Sequence, residues 1–456
     1  MHKENHLSLP ALALALALSL ALGMAGGAAH AELSADDAGR LGKDLTPMGA
    51  EKAGNKDGSI PAWAGGLTKT PAGFDPAKGY THPMAADKPL FTITAANVEQ
   101  YKDKLAPGQI EMLKRYPSFK MNIYASQRTA AYPQTIYDQV KTEGAKTRLA
   151  EGGNGVLNAE KTTVPFPLPK SGLEVLWNHM SRYYGGTWTR YNAEFPVQTN
   201  GAFTPVTRVE TFAAPAALDK IEPNRLYYYV ARLTGPSSVA GDGILVHEPV
   251  DQVKEGRLAW IYNPGSRRVL RAPQFAYDAP GNGADGLRTI DDRFGFNGAP
   301  DRYEWKLVGK KEMFISYNNF NLSSKALKYK DIIQPAHMNP DLVRYEPHRV
   351  WVVEAKLKSG MRHVYGKRVL YIDEDSWSIA HADQYDGRGE LWRVRDVHLM
   401  PFYDQQMTWG IAEVLYDLQA RRYLVSDLMN EERPARFGEK LTLNAFSTEA
   451  LRRQAN

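Results

Sequence analysis

The chain has 456 residues, a formal net charge of +5 and no cysteine. Lys/Arg and Asp/Glu are interspersed along it, so it lacks the basic stripe that tracks nucleic acid. Without cysteine it forms no disulfide, no thiolate metal site and no lipid-modified anchor behind a leader, and its length suffices for one large core or two ordinary ones.

Residues 1–31 combine Lys3, the apolar run "ALALALALSLALGMAGG" and the small residues Ala29 and Ala31 ahead of Glu32. This is the pattern of a secretory signal with an A-x-A site, cut after Ala31, and not of a retained membrane helix. No second apolar stretch reaches spanning length. An exported chain without cysteine is expected in the periplasm, unlipidated.

From residue 32 to 89 the chain is irregular, as in "DLTPMGAEKAGNKDGSIPAWAGGL". Gly and Pro break every period there. Trp63, Leu67, Phe74 and Tyr80 recur at intervals, which favours a strap laid over a folded surface, with Trp63 across the outer face of a sheet. A docking arm for a membrane partner is the alternative.

Residues 90–186 read as mainly helical. "TAANVEQYKDKL" follows Thr94 as a cap, and "PGQIEMLKRY" starts on Pro107, both suited to helix N-termini. In "YPQTIYDQVKTEGAKTRLAEG" the residues Ile136, Val140 and Leu149 have partly helical spacing. "SGLEVLWNHM" predicts a short amphipathic helix carrying Leu173, Leu176, Trp177 and Met180.

Residues 187–456 read as one antiparallel meander forming a single compact domain with the preceding helices. Strand-like runs are separated by the turn segments "NPGSRR", "LKSGMRH", "IDEDSWS" and "YDGRGEL". "GIAEVLYDLQARRYLV" is read as strand and turn. Within Arg349 to Leu357, Trp351, Val353, Ala355 and Leu357 share one face; within Leu226 to Leu233, Tyr227, Tyr229, Ala231 and Leu233 share another. Both faces carry apolar residues, so one is expected to pack against helices and the other to line a concavity, with a two-layer core as the alternative.

"HRVWVVEAKLKSG" followed by "YGKRVLYIDEDSWSIAHADQYDGRGELWRV" resembles the sheet of the LolA/LolB-like lipoprotein-carrier superfamily. With "LTPMGAEKAGNKDGSIPAWAGG" and "VPFPLPKSGLEVLWNH", the chain is similar to an exported branch of it classed as a domain of unknown function. The resemblance implies an α+β fold: a strongly curved, incomplete antiparallel half-barrel, helices plugging its concave side, and an apolar cavity between. It also implies carriage of acyl chains or lipoproteins between the membranes. The implied partners are an inner-membrane exporter of the resistance-nodulation-division type and an outer-membrane protein.

On this reading the cavity wall is Trp351, Val353, Leu357, Tyr371, Trp377 and Trp392. Arg349, Arg368 and Arg393 orient a ligand headgroup. No catalytic residue, cofactor or metal is expected, because a carrier of apolar cargo needs shape and apolar lining only. Two alternatives are a glycan-binding module built on the aromatic stripes and a hydrolase. The latter would draw on Asp373, Glu374 and Asp375, or on Asp291 and Asp292, as carboxylate acid and base. The histidines His179, His247, His337, His348, His363, His381 and His398 show no ligand-pair spacing.

Overall fold

The computed structural model describes residues 33–273, 275 and 277–454. The signal sequence and its cleavage site read at residues 1–31 fall outside these.

Thirteen of the sixteen strands of the main sheet form its body: β1 Thr187–Val197, β2 Val206–Ala213, β3 Tyr227–Gly235, β4 Gly243–Glu248, β5 Leu258–Asn263, β6 Arg268–Arg271, β7 Tyr303–Ser316, β8 Tyr345–Leu357, β9 Lys367–Asp373, β10 Ile379–Tyr385, β11 Leu391–Phe402, β12 Met407–Asp417 and β13 Arg422–Leu428. Their order is β7-β8-β9-β10-β11-β12-β13-β1-β2-β3-β4-β5-β6, antiparallel throughout. Two meanders are thus joined edge to edge where β13 meets β1, and β6 and β7 remain open edges. The β7 edge is protected by a bulge between Leu307 and Gly309 and by Lys306, Lys310 and Lys311, devices that discourage pairing with another chain.

The sheet is strongly curved, and its contacts show this directly. Arg368 of β9, Gln384 of β10, Arg395 of β11, Asp427 of β13 and Glu210 of β2 all bond within the three residues Asp291, Asp292 and Arg293. A flat sheet would spread β9 to β2 over roughly 29 Å at ordinary strand spacing. Only curling brings these side chains onto one short segment.

The inner face is filled from two sources. The helices α2 Gln134–Glu143 and α3 Gly172–Ser181 pack Ile136, Val140, Leu176 and Trp177 against Val353, Leu370 and Ile372 of β8 and β9. Ser171 starts α3 by accepting the Glu174 N–H on its hydroxyl. The rest is covered by the irregular connection from β6 to β7. Its "GNGADG" stretch places Gly283, Asp285 and Gly286 at positive φ, which no helix can use. The helical plug expected from the resemblance is therefore shared with a loop.

The outer face is covered by α1 Pro107–Arg115, whose Met112 and Leu113 pack with Val394, Tyr345 and Tyr416, and by α4 Thr448–Gln454, whose Leu451 joins Tyr228, Val230 and Leu245. The helix expected from Thr94 onward is instead two 3-10 turns, Val98–Gln100 and Lys102–Lys104. There the Asn97 amide accepts the Thr94 N–H and donates to Thr92 O, offering the backbone a local partner that competes with a helix.

The N-terminal ribbon is tied down along its length. Leu41, Leu45 and Met48 join the same core as α3, and the Trp377 indole donates to Met48 O (3.0 Å). Arg128 donates to Glu51 O, Lys52 O and Pro61 O. Trp63, read as lying across the outer face, donates its indole N–H to Ala130 O, because the extended 129–131 segment presents free carbonyls to the ribbon. Phe74 and Tyr80 pack on Tyr403. Gly66, at φ +75°, is pressed so close that a Cβ would sit 2.3 Å from Ala130 O. Gly66→Ala is expected to lower stability by about 2–4 kcal/mol in urea unfolding, and to make the ribbon the first site of proteolysis. A detached arm would show neither effect.

Candidate functional site

Strand alternation leaves one part of the inner face without helix cover. Trp188, Phe212, Tyr229, Leu233, Ile244 and Val246 point there from β1 to β4. With Phe275 and the 280–297 segment they enclose a cavity of about 610 Å³. Ile261 of β5 stands in its wall and is 37% exposed, so the cavity reaches solvent on that side. Trp188 stacks on Phe212 (5.2 Å between centroids), and Tyr184 links Phe212 (5.8 Å) to Phe294 (5.7 Å) in one aromatic cluster.

Four arginines also border the cavity, namely Arg208, Arg257, Arg288 and Arg293. Each is committed to a buried carboxylate. Glu194 takes Arg208 and, at 2.6 Å, Arg288 Nε. Glu210 takes Arg190 and, at 2.9 Å, Arg293 Nη2; Asp427 bridges the same two guanidiniums at 3.0 Å each. Arg257 binds Glu248 and donates to Asn297 Oδ1 at 2.6 Å. Burial alone would raise the Glu194 carboxyl, but Arg208 and Arg288 outweigh it and hold the group well below the usual carboxylate range. Glu210 is lowered for the same reason, by Arg190 and Arg293 against burial. The site therefore offers an aromatic and aliphatic wall over a floor of paired charges. Such a site binds by apolar burial and shape.

The residues read from sequence as cavity wall lie elsewhere: none of the nine borders this cavity. Val353 is core beneath α3, and Trp377 is fully buried with Trp351 stacked on it at 6.3 Å. Tyr371 belongs to the outer-face cluster with Val350 and Val352. Leu357 ends β8, and Trp392 donates to Asp417 Oδ2 (3.0 Å). Arg349 pairs with Glu374 (3.3 Å), Arg368 with Asp291 (2.7 Å) and Arg393 with Asp417 (3.1 Å). The physical reason is cover: α2, α3 and the ribbon fill the inner face of β8 to β10, whereas β2 to β5 have only a loop above them. The alternation of Tyr227, Tyr229, Ala231 and Leu233 was the available signal, since it put them on one face; nothing local says which half is left open.

The acids considered for hydrolysis are all buried. Asp375 is held by Arg128 through both carboxylate oxygens, at 2.6 and 2.8 Å. Asp292 accepts from Tyr365 (2.8 Å) and Gln384 (2.6 Å). Among the histidines, His179 Nδ1 lies 3.0 Å from Trp377 O, His247 reaches Phe446 O, His337 reaches Ser118 and Met338 O, and His398 meets Ser316. His363 contacts Asp291, while His381 lies between Asp383 and Asp396.

Residues 92–452 match the family DUF1329, described as a protein of unknown function. The uncharacterised protein PA3922 of Pseudomonas aeruginosa is 50% identical over 431 residues, covering 93% of this chain and 94% of that one. Two solved structures are similar at the level of the fold. A putative outer membrane lipoprotein-sorting protein domain from Vibrio parahaemolyticus has TM-score 0.41 and 15% identity, covering 62% of this chain and 98% of that one. The LolA superfamily protein NE2245 from Nitrosomonas europaea has TM-score 0.38 and 12% identity, covering 62% and 100%.

Proposed function

The chain belongs to the DUF1329 family, and we propose that it is a periplasmic carrier that shelters a hydrophobic molecule in the cavity over β2 to β5. The observation that carries this is the cavity itself: about 610 Å³, walled mainly by aromatic and aliphatic side chains, and reached from solvent beside Ile261. Sites of roughly 300–1,000 Å³ suit small organic ligands. Apolar burial yields roughly 0.8 kcal/mol per methylene before association costs, so a long acyl chain supplies ample affinity without any catalytic group.

Because every arginine at the floor already holds a carboxylate, the cargo contributes its apolar part to the cavity and leaves any headgroup at the rim. In this reading the protein performs no bond chemistry. The exporter and outer-membrane protein implied by the family resemblance are the donor and acceptor of cargo. The leader read at residues 1–31 supports the compartment.

The test is binding of a fluorescent fatty acid, with native mass spectrometry of protein taken from periplasmic extract. Ala231→Trp and Val246→Trp fill the cavity from neighbouring strands and are expected to weaken probe binding at least about tenfold while the fold persists by circular dichroism. Equal binding by the filled variants, or no binding by the native protein, overturns the assignment.

A further inference from the structure

A second site lies away from the cavity, where β8 and β9 end beneath the N-terminal ribbon. Val350 pairs with Asp373, so His348 continues β8 past the hairpin that carries Asp373 and Asp375. One ligand atom from each of His348, Asp373 and Asp375 lies within 4.8 Å of the others, and all three side chains are buried.

We propose that these three residues bind a divalent transition-metal cation of the zinc or manganese class. His348 Nε2 lies 3.2 Å from Glu346 Oε2 and donates to it, which leaves the Nδ1 lone pair facing Asp373 Oδ1 at 3.9 Å. That distance is too long for a hydrogen bond. Asp373 Oδ2 accepts from the Ser376 N–H and hydroxyl, but Oδ1 has no partner. The Tyr317 hydroxyl is also buried and unpartnered, and its ring lies against His348 at 4.1 Å between centroids. His348 Nδ1 and Asp373 Oδ1 thus face each other with no hydrogen-bond donor supplied to either, while Asp375 brings a carboxylate already anchored by Arg128.

Charge points the same way. Asp375 has Arg128, Glu346 has Arg344, and Glu374 has Lys310 and Arg349. Asp373 alone of this group has no Arg or Lys partner among the described ion pairs. A metal-bound imidazole ordinarily donates its second N–H to a carboxylate, as His348 does to Glu346. One imidazole with two carboxylates suits zinc, manganese or iron, whereas an all-oxygen set would favour calcium or magnesium. The cation would join β8, the β9–β10 hairpin and, through Asp375 and Arg128, the ribbon.

The experiment is metal analysis of the full mature protein purified without chelator, followed by stripping and melting with zinc, manganese, calcium or magnesium chloride. Near-equimolar transition metal is expected, with a fall in melting temperature on stripping that zinc or manganese reverses. His348→Ala should abolish the reversal. Tyr317→Phe, which removes one hydroxyl and keeps the ring, should weaken it and keeps the test valid if His348→Ala does not fold. Absence of retained metal together with no stabilisation by zinc or manganese overturns the proposal. Stabilisation by calcium or magnesium alone, or an undiminished response in folded His348→Ala, overturns it too.

Discussion

Replacing Glu194 by Leu is expected to cost about 3–5 kcal/mol of folding stability, the range for breaking a buried ion pair by removing one partner. Glu194 is fully buried and holds Arg208 of β2 and Arg288 of the covering segment, and it accepts from Ser426 of β13. The substitution leaves two buried guanidiniums without a counter-charge. It also cuts the bond that fastens the loop over the cavity to the seam where β13 meets β1. Urea unfolding should show a lower midpoint with little change in slope. The triple variant Glu194→Leu, Arg208→Met, Arg288→Met removes the orphaned charges and should recover most of the loss, because an apolar replacement of a buried network is often nearly neutral. Recovery by the triple variant separates an unpaired-charge penalty from simple loss of packing. If Glu194→Leu alone were as stable as the native chain, the floor of the cavity would have to be wetter than its burial indicates.

The meander was legible because its signals are local. "NPGSRR", "LKSGMRH", "IDEDSWS" and "YDGRGEL" each join neighbouring strands, β5 to β6 and then β8 through β11 in succession. The period-two alternation assigned faces correctly, and "GIAEVLYDLQARRYLV" falls in the β12 and β13 strands with their turn. What covers each face is not local. Arg288 and Glu194 are 94 positions apart, and Arg293 and Asp427 are 134 apart; no pattern in either stretch announces the partner. Acidic hairpin residues also look solvated in sequence, since such residues usually form exposed turns. The β9–β10 turn departs from that rule because the ribbon and the 125–132 segment close over it, and Arg128 arrives from outside the hairpin to neutralise Asp375. The candidate cavity was missed for the same reason: sequence identified two aromatic faces, and only tertiary cover decided which stayed hollow.

Stability should fall as pH rises from about 6.5 to about 9, and His381 should account for much of the decline. His381 is fully buried, with Nδ1 2.7 Å from Asp396 Oδ1 and Nε2 3.0 Å from Asp383 Oδ1. Burial by itself lowers its pKa, but the hydrogen bonds and charges of Asp383 and Asp396 reverse this and carry it from 6.5 to about 9. Below 6.5 folded and unfolded chains both hold the proton, so the full contribution is present. Between 6.5 and 9 the unfolded chain releases it first, the folded state binds more protons, and stability declines with rising pH. The span corresponds to about 3 kcal/mol. His398, lowered to about 4 by burial, costs stability only on the acid side of 6.5. Lys311 lies near Asp383 and the Tyr371 ring packs on His381; burial lowers the first and raises the second. The consequence reaches the outer face, because Asp383 also accepts the Gly108 N–H at the start of α1 and Asp396 accepts from Tyr345. When the imidazole loses its charge, the carboxylates that seat α1 face each other without a cation. His381→Gln should therefore be less stable than the native chain at neutral pH and show a shallower decline across the same window, measured as unfolding free energy against pH. A native chain whose stability is flat there would mean that His381 is neutral in the fold.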